Sequence, residues 1–99
     1  MKLRDIAHGR TGDKGETCNI SLIAFHARDY ATLVERVTPE RVKAHFGGIV
    51  NGDVTRYELP QLHAMNFVLT RALGGGVTRS LALDAHGKSL SSLLLELEI

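Results

Sequence analysis

The segment "NISLIAFH", Asn19 to His26, constrains this chain more than any other. As a strand it places Ile20, Leu22 and Ala24 on one face and Ile23 and Phe25 on the other. Alternation with a period of two is a strand signal, and apolar residues on both faces predict a central strand or one covered twice. Immediately before it stands "HGRTGDKGETCN", His8 to Asn19, where Gly9, Gly12 and Gly15 are interspersed with the charged Arg10, Asp13, Lys14 and Glu16. Leu3 to His8 reads as an earlier short strand. The intervening stretch then becomes the long tip of an antiparallel hairpin.

Helical spacing follows. Tyr30, Leu33, Val34 and Val37 form one apolar stripe at i, i+3, i+4, i+7. Thr38, Pro39 and Glu40 restart the chain as a second helix: threonine caps, proline suits the first helical position, and glutamate suits the positive helix end. Val42, Phe46 and Ile49 give that helix its buried side. Gly52 to Leu59 predicts a third strand stopped by Pro60. Leu62, Met65, Leu69, Ala72 and Leu73 have helical spacing, with Gly74 placed to close the helix in a left-handed conformation. Thr78 to Asp84 predicts a fourth strand, His86-Gly87 a turn, and Leu90, Leu93, Leu94 and Leu97 a last helix. Short strands alternating with amphipathic helices predict an α+β fold, a mixed or antiparallel sheet of about four strands covered by helices.

A chain of 99 residues is read as one domain over 1–99, large enough to bury roughly 65% of its unfolded surface. Net charge is +1 with both signs mixed along the chain. No basic block points to nucleic acid or to an anionic membrane, and no apolar run approaches the ~18 residues of a membrane span. The single cysteine, Cys18, excludes an internal disulfide and suits a reducing, cytoplasmic setting.

Chemistry-bearing patterns are sparse. The glycines at 9, 12 and 15 do not match a dinucleotide or Walker loop, because the spacing is wrong and a strand follows. Two readings of that loop stay open: glycines that permit a wet, charged turn, or exposed amides that, with Asp13 and Lys14, hold a polar ligand. In "ALGGGVTRS", Gly75 and Gly76 go beyond what a helix cap needs. Close approach of a backbone, or of an anion helped by Thr78 and Arg79, stands against a plain connection. His63 and Asn66 lie three apart on the expected helix face, as a site or as a half-buried pair. The five histidines are scattered without metal-ligand spacing, so no metal is expected. Cys18 reads as a small hydrophobe before a nucleophile. Arg56, Tyr57 and Glu58 fit either a pocket rim or the alternating charge of a half-exposed strand.

The stretches "LRDIAHGRTGDKGETCNISLIA", "ERVKAHF", "RYELPQLHAMNFVLTRALGGGVTRSL" and "LDAHGKSLSSLLLELEI" together resemble the small AtuA-like domain of the acyclic terpene utilisation proteins, over nearly the whole chain. The resemblance implies a ferredoxin-like two-layer sandwich. It also implies a link to bacterial breakdown of branched or terpenoid acids as coenzyme A thioesters. In that family the domain usually follows a much larger one and also occurs as a separate short protein. His8, Arg10, Gly12, Asp13, Lys14 and Gly15 match the family's loop, with Gly9 for alanine, Thr11 for serine and Glu16 for aspartate. Asn19, the run Arg56 to Pro60, Asn66-Phe67 and Gly74 to Gly76 also agree. With the resemblance counted, the loop is read as functional.

Two functions are expected from this. In the first, the chain is an accessory subunit of a separately encoded large AtuA-like protein, with no cofactor and no established reaction of its own. In the second, it binds an acyl-CoA or carboxylate, or acts on it. The residues would be Arg10, Gly12, Asp13, Lys14, Gly15, Asn19, Asn66, Gly74, Gly75, Gly76, Thr78 and Arg79. Both expect positions 12–15 and 74–79 to be neighbours. A homo-oligomer is expected as well, and whether the chain catalyses anything is left open.

Overall fold

The computed structural model describes residues 1–14, 17–50, 52–71 and 90–99. The expected hairpin is present, and its strands run much further toward the tip. Strand β1 (Ala7–Lys14) pairs antiparallel with β2 (Thr17–Ala24), from Ala7 opposite Ala24 to Lys14 opposite Thr17. Gly9 to Lys14, expected as loop, is therefore strand. Glycine and aspartate are weak strand formers, but an uninterrupted ladder to a well-buried partner outweighs that preference. Leu3–Asp5 is correspondingly a 3-10 turn rather than the start of a strand, with Leu3 buried beneath it.

The second correction concerns the segment after Pro60. Its apolar residues fit a helix, yet the chain forms β3 (Val54–Leu59), a 3-10 turn over Pro60–Leu62, and β4 (Ala64–Leu69). His63 reverses the chain in a left-handed conformation, φ 51° and ψ 44°. Met65, Phe67 and Leu69 are buried at every second position, a period-two pattern that coexists in the sequence with the helical one. β4 inserts between β2 and β3, where both sides of its backbone find partners. That pairing decides between the two patterns. The expected strand Thr78 to Asp84, the Gly74 cap and the His86-Gly87 turn lie outside the described residues.

The sheet order is β1-β2-β4-β3, antiparallel throughout. β2 is central, as its sequence predicts. One face carries Cys18, Ile20, Leu22, Met65, Phe67 and Leu69 and is covered; on the other, Ile23 is half-buried and Phe25 is exposed. Among the described residues the sheet is covered on one face.

Three helices close the covered face among the described residues. α1 (Tyr30–Arg36) and α2 (Pro39–Phe46) follow the expected stripes, burying Leu33, Val42 and Phe46. The Thr38 hydroxyl caps α2 by accepting the Arg41 amide at 3.2 Å. α3 (Leu90–Leu94) is shorter than its leucine spacing suggests, although Leu97 beyond it is still buried. Arg56 ties the sheet to α1, donating to the carbonyls of Val34 at 2.8 Å and Val37 at 3.0 Å. His45 on α2 bonds the Leu93 carbonyl of α3 at 2.7 Å. The two chain ends are stitched together: Leu3 donates to Leu97 O at 2.8 Å, Arg4 to Leu95 O at 3.0 Å, and Ile99 to Met1 O at 2.9 Å. The result is an antiparallel open sheet with helices packed on it, the α+β two-layer arrangement expected. Among the described residues, no helix is long and apolar enough to cross a membrane.

Candidate functional site

Side chains alternate along a strand, so every residue next to a core residue points to the open face. The registers then fix which open-face residues stand side by side. One transverse row reads Arg10, Ser21, Asn66, Tyr57 across all four strands. The row beside it reads Gly12, Asn19, Val68, Thr55, and the row on the other side His8, Ile23, Ala64, Leu59. Polar groups concentrate on β1 and β2. Asn66 donates from Nδ2 to Ser21 Oγ at 3.1 Å, which orients its amide over the sheet. A Cβ on Gly12 would lie 3.2 Å from Asn19 Oδ1, so the glycine leaves the room that the Asn19 amide occupies.

Exposed apolar groups lie toward the other end of this face, Phe25 beside β1 and the rest on or just after β3. Tyr57 is 55% exposed, Leu59 40%, Phe25 54%, and Leu62 in the following turn 66%. Phe25 stacks on His8, ring centroids 5.2 Å apart. A cation and two amides beside exposed aromatic and aliphatic groups suit recognition of a mixed polar and apolar surface.

Four of the anticipated site residues, Arg10, Gly12, Asn19 and Asn66, are thereby gathered on one face. Asp13 and Lys14 occupy the last two positions of β1, opposite Cys18 and Thr17. Gly15, Gly74, Gly75, Gly76, Thr78 and Arg79 lie outside the described residues, and so does the expected meeting of the two glycine clusters. His63 and Asn66 do not share a helix face, because one sits in a turn and the other in β4. Cys18 is 1% exposed, in keeping with a small hydrophobe. Arg56 binds helix carbonyls and so serves the fold rather than a pocket rim.

Sequence reasoning did not place Phe25 and Tyr57 on one surface. The available signal was Phe25, out of phase with the Ile20, Leu22, Ala24 stripe, and Tyr57 between two charged neighbours.

Among the described residues no cluster of three histidine, cysteine, aspartate or glutamate side chains could hold a metal ion. An open groove of about 360 Å³ lies elsewhere, between the start of α2 and β3, lined by Pro39, Glu40, Lys43, Asp53, Val54 and Thr55. Its charges are of both signs, and none of the anticipated site residues that are described lines it.

Tyr30 stands at the covered side of β3, its ring edge-on to His63 at 6.0 Å. Its hydroxyl is buried and completes no hydrogen bond with the described residues. Burial pushes the phenol above its ordinary value of 10.0, and the Glu58 carboxylate adds to the rise; the Leu59 backbone amide, near the hydroxyl but outside hydrogen-bond geometry, and the Arg56 guanidinium draw part of it back.

Compared with known proteins, no curated protein and no solved structure matches the chain. A family model described as the AtuA ferredoxin-like domain does match, over residues 1–99. With the match running from end to end and an antiparallel sheet backed by helices beneath it, this chain belongs to the AtuA ferredoxin-like domain family.

Proposed function

We propose that this domain is an accessory recognition module, whose open sheet face docks onto a larger AtuA-like protein in the bacterial breakdown of branched or terpenoid acyl-CoA compounds. One observation carries the reading. Arg10, Gly12, Asn19 and Asn66 converge on a sheet face that also exposes Phe25 and Tyr57. A flat face with exposed aromatic groups and a polar field has the composition of a protein contact surface.

Co-expression with a large AtuA-like protein tests it. The two chains are expected to co-elute on size exclusion. Arg10→Glu and Phe25→Ser, both at exposed positions, are expected to weaken the complex by about tenfold or more each, as loss of an interface anchor does. Absence of co-elution, or a complex indifferent to both variants, overturns the reading.

The Arg10 cation, with the Asn19 amide diagonal to it on β2 and the Asn66 amide beyond Ser21 on β4, favours a second reading, in which the face holds the carboxylate or thioester end of a small acyl compound. A thermal-shift panel of acyl-CoAs and carboxylates separates the two readings. A ligand at about 1,000 times its Kd would stabilise the fold by roughly 4 kcal/mol, whereas a flat panel leaves the docking role.

A further inference from the structure

Among the described residues β3 is an edge strand. β4 pairs with one side of it, and among the described residues nothing pairs with the other. Thr70 donates its backbone amide to Asp53 O at 3.0 Å, which makes Asp53 and Thr70 a hydrogen-bonded pair of the antiparallel ladder. Such pairs alternate. Thr55, Tyr57 and Leu59 therefore bond inward to β4, while Val54, Arg56 and Glu58 aim their N–H and C=O groups outward. An edge of this kind is ordinarily guarded by charged side chains, by proline, by a bulge or by brevity, and the two charges that β3 carries, Arg56 and Glu58, are of opposite sign. "VTRYEL" contains no lysine or proline, and its register to β4 runs without a bulge from Val54 to Leu59.

The strand is also complementary to itself in one register. With Tyr57 opposite the partner's Tyr57, each outward-aimed Arg56 falls opposite the partner's Glu58, and each Glu58 opposite the partner's Arg56. Both pairs are of the hydrogen-bonded kind, so the backbone bonds and the charges agree. Within one chain Arg56 already meets Glu58 at 3.1 Å. Two copies would therefore bring four charges together in alternating sign on the covered side. On the open side the exposed Tyr57 would meet its equivalent in a non-hydrogen-bonded pair, where side chains approach most closely. The adjacent registers lack this match: one sets Arg56 against the partner's Arg56, the other Glu58 against the partner's Glu58.

We propose that the outer edge of β3 pairs antiparallel with β3 of a second copy of this chain, centred on Tyr57, so that two sheets join into one continuous sheet about a two-fold axis. This pairing stands independently of the docking role, since the chain alone is sufficient to test it.

Light scattering across a concentration series is expected to give a dimer. Glu58→Arg, at a half-exposed side chain, sets like charges opposite each other and is expected to weaken self-association by about tenfold or more, with circular dichroism unchanged. The register has its own readout. Under mild oxidation Tyr57→Cys is expected to form a covalent dimer, because residues in a non-hydrogen-bonded pair lie within disulfide reach. Thr55→Cys, which faces the partner's Leu59, is expected to stay uncrosslinked. A chain that is monomeric at every concentration overturns the proposal. So does a dimer that survives Glu58→Arg, or one in which Thr55→Cys links as readily as Tyr57→Cys.

Discussion

Tyr30 shows how a single buried oxygen shapes stability. Its hydroxyl, packed beneath β3, completes no hydrogen bond with the described residues, and burying such a group without a partner costs about 1–3 kcal/mol. Tyr30→Phe keeps the ring and its edge contact with His63 while removing that cost. The variant is expected to be more stable by about 1 kcal/mol in urea unfolding at neutral pH; a loss of similar size would mean that the hydroxyl has a partner after all. The pH dependence has a definite sign. The folded phenol titrates above 10.0, so both states hold the proton below that pH and the stability is intact there. As the pH climbs past 10, the unfolded chain ionises first and the wild-type protein weakens. The Phe variant lacks that loss, and the gap between the two is expected to widen only in alkaline solution. At this scale the sequence was informative about polar residues. Arg10, Gly12, Asn19 and Asn66 all fall on one face, although nothing in their spacing could say so: their adjacency comes from strand registers, which link positions far apart along the chain.

At the scale of elements, what could be read from the sequence depended on whether a segment carried one periodicity or two. Helices α1 and α2 each have a single clear stripe, α2 has an identifiable cap as well, and both occur where expected. β4 carries Met65, Phe67 and Leu69 in strand phase together with a helical spacing from Leu62 onward, and only pairing with β2 and β3 resolves it. β1 failed for the opposite reason: its polar, glycine-rich sequence has hardly any periodicity, and β2 supplies the order. The β3–β4 hairpin is closed at its open end by Gly52 and Thr70. A Cβ on Gly52 would lie 2.3 Å from both the carbonyl and the hydroxyl oxygen of Thr70, and that hydroxyl accepts the Asp53 amide at 2.7 Å. Gly52→Ala must therefore push the two strands apart, and is expected to lower stability by about 2 kcal/mol or more. Gly48→Ala is the control. Nothing lies within 4 Å of the added carbon there, and its melting temperature is expected to stay close to wild type.

At the scale of the whole molecule, the first five residues and the last five form one patch. Lys2 bonds Glu96 at 2.8 Å and Arg4 bonds the same carboxylate at 3.1 Å; being partly or largely exposed, these ion pairs contribute little by themselves. The backbone bonds and the burial of Leu3 and Leu97 are what hold the patch. Removing residues 95–99 is therefore expected to destabilise the entire fold in thermal melts rather than trim a loose tail. The converse is a permuted chain, with Ile99 linked to Met1 by a short glycine-serine bridge and new ends opened between the exposed Gly47 and Gly48. It is expected to recover the wild-type circular dichroism and to melt within a few degrees of the parent; failure to fold would show that chain order itself matters. Seen this way the polypeptide is nearly a ring, and a ring has no privileged starting point. Any protein fused ahead of Met1 or behind Ile99 would hang from the same spot on the surface, so both attachments would present the sheet to their neighbour from one common anchor.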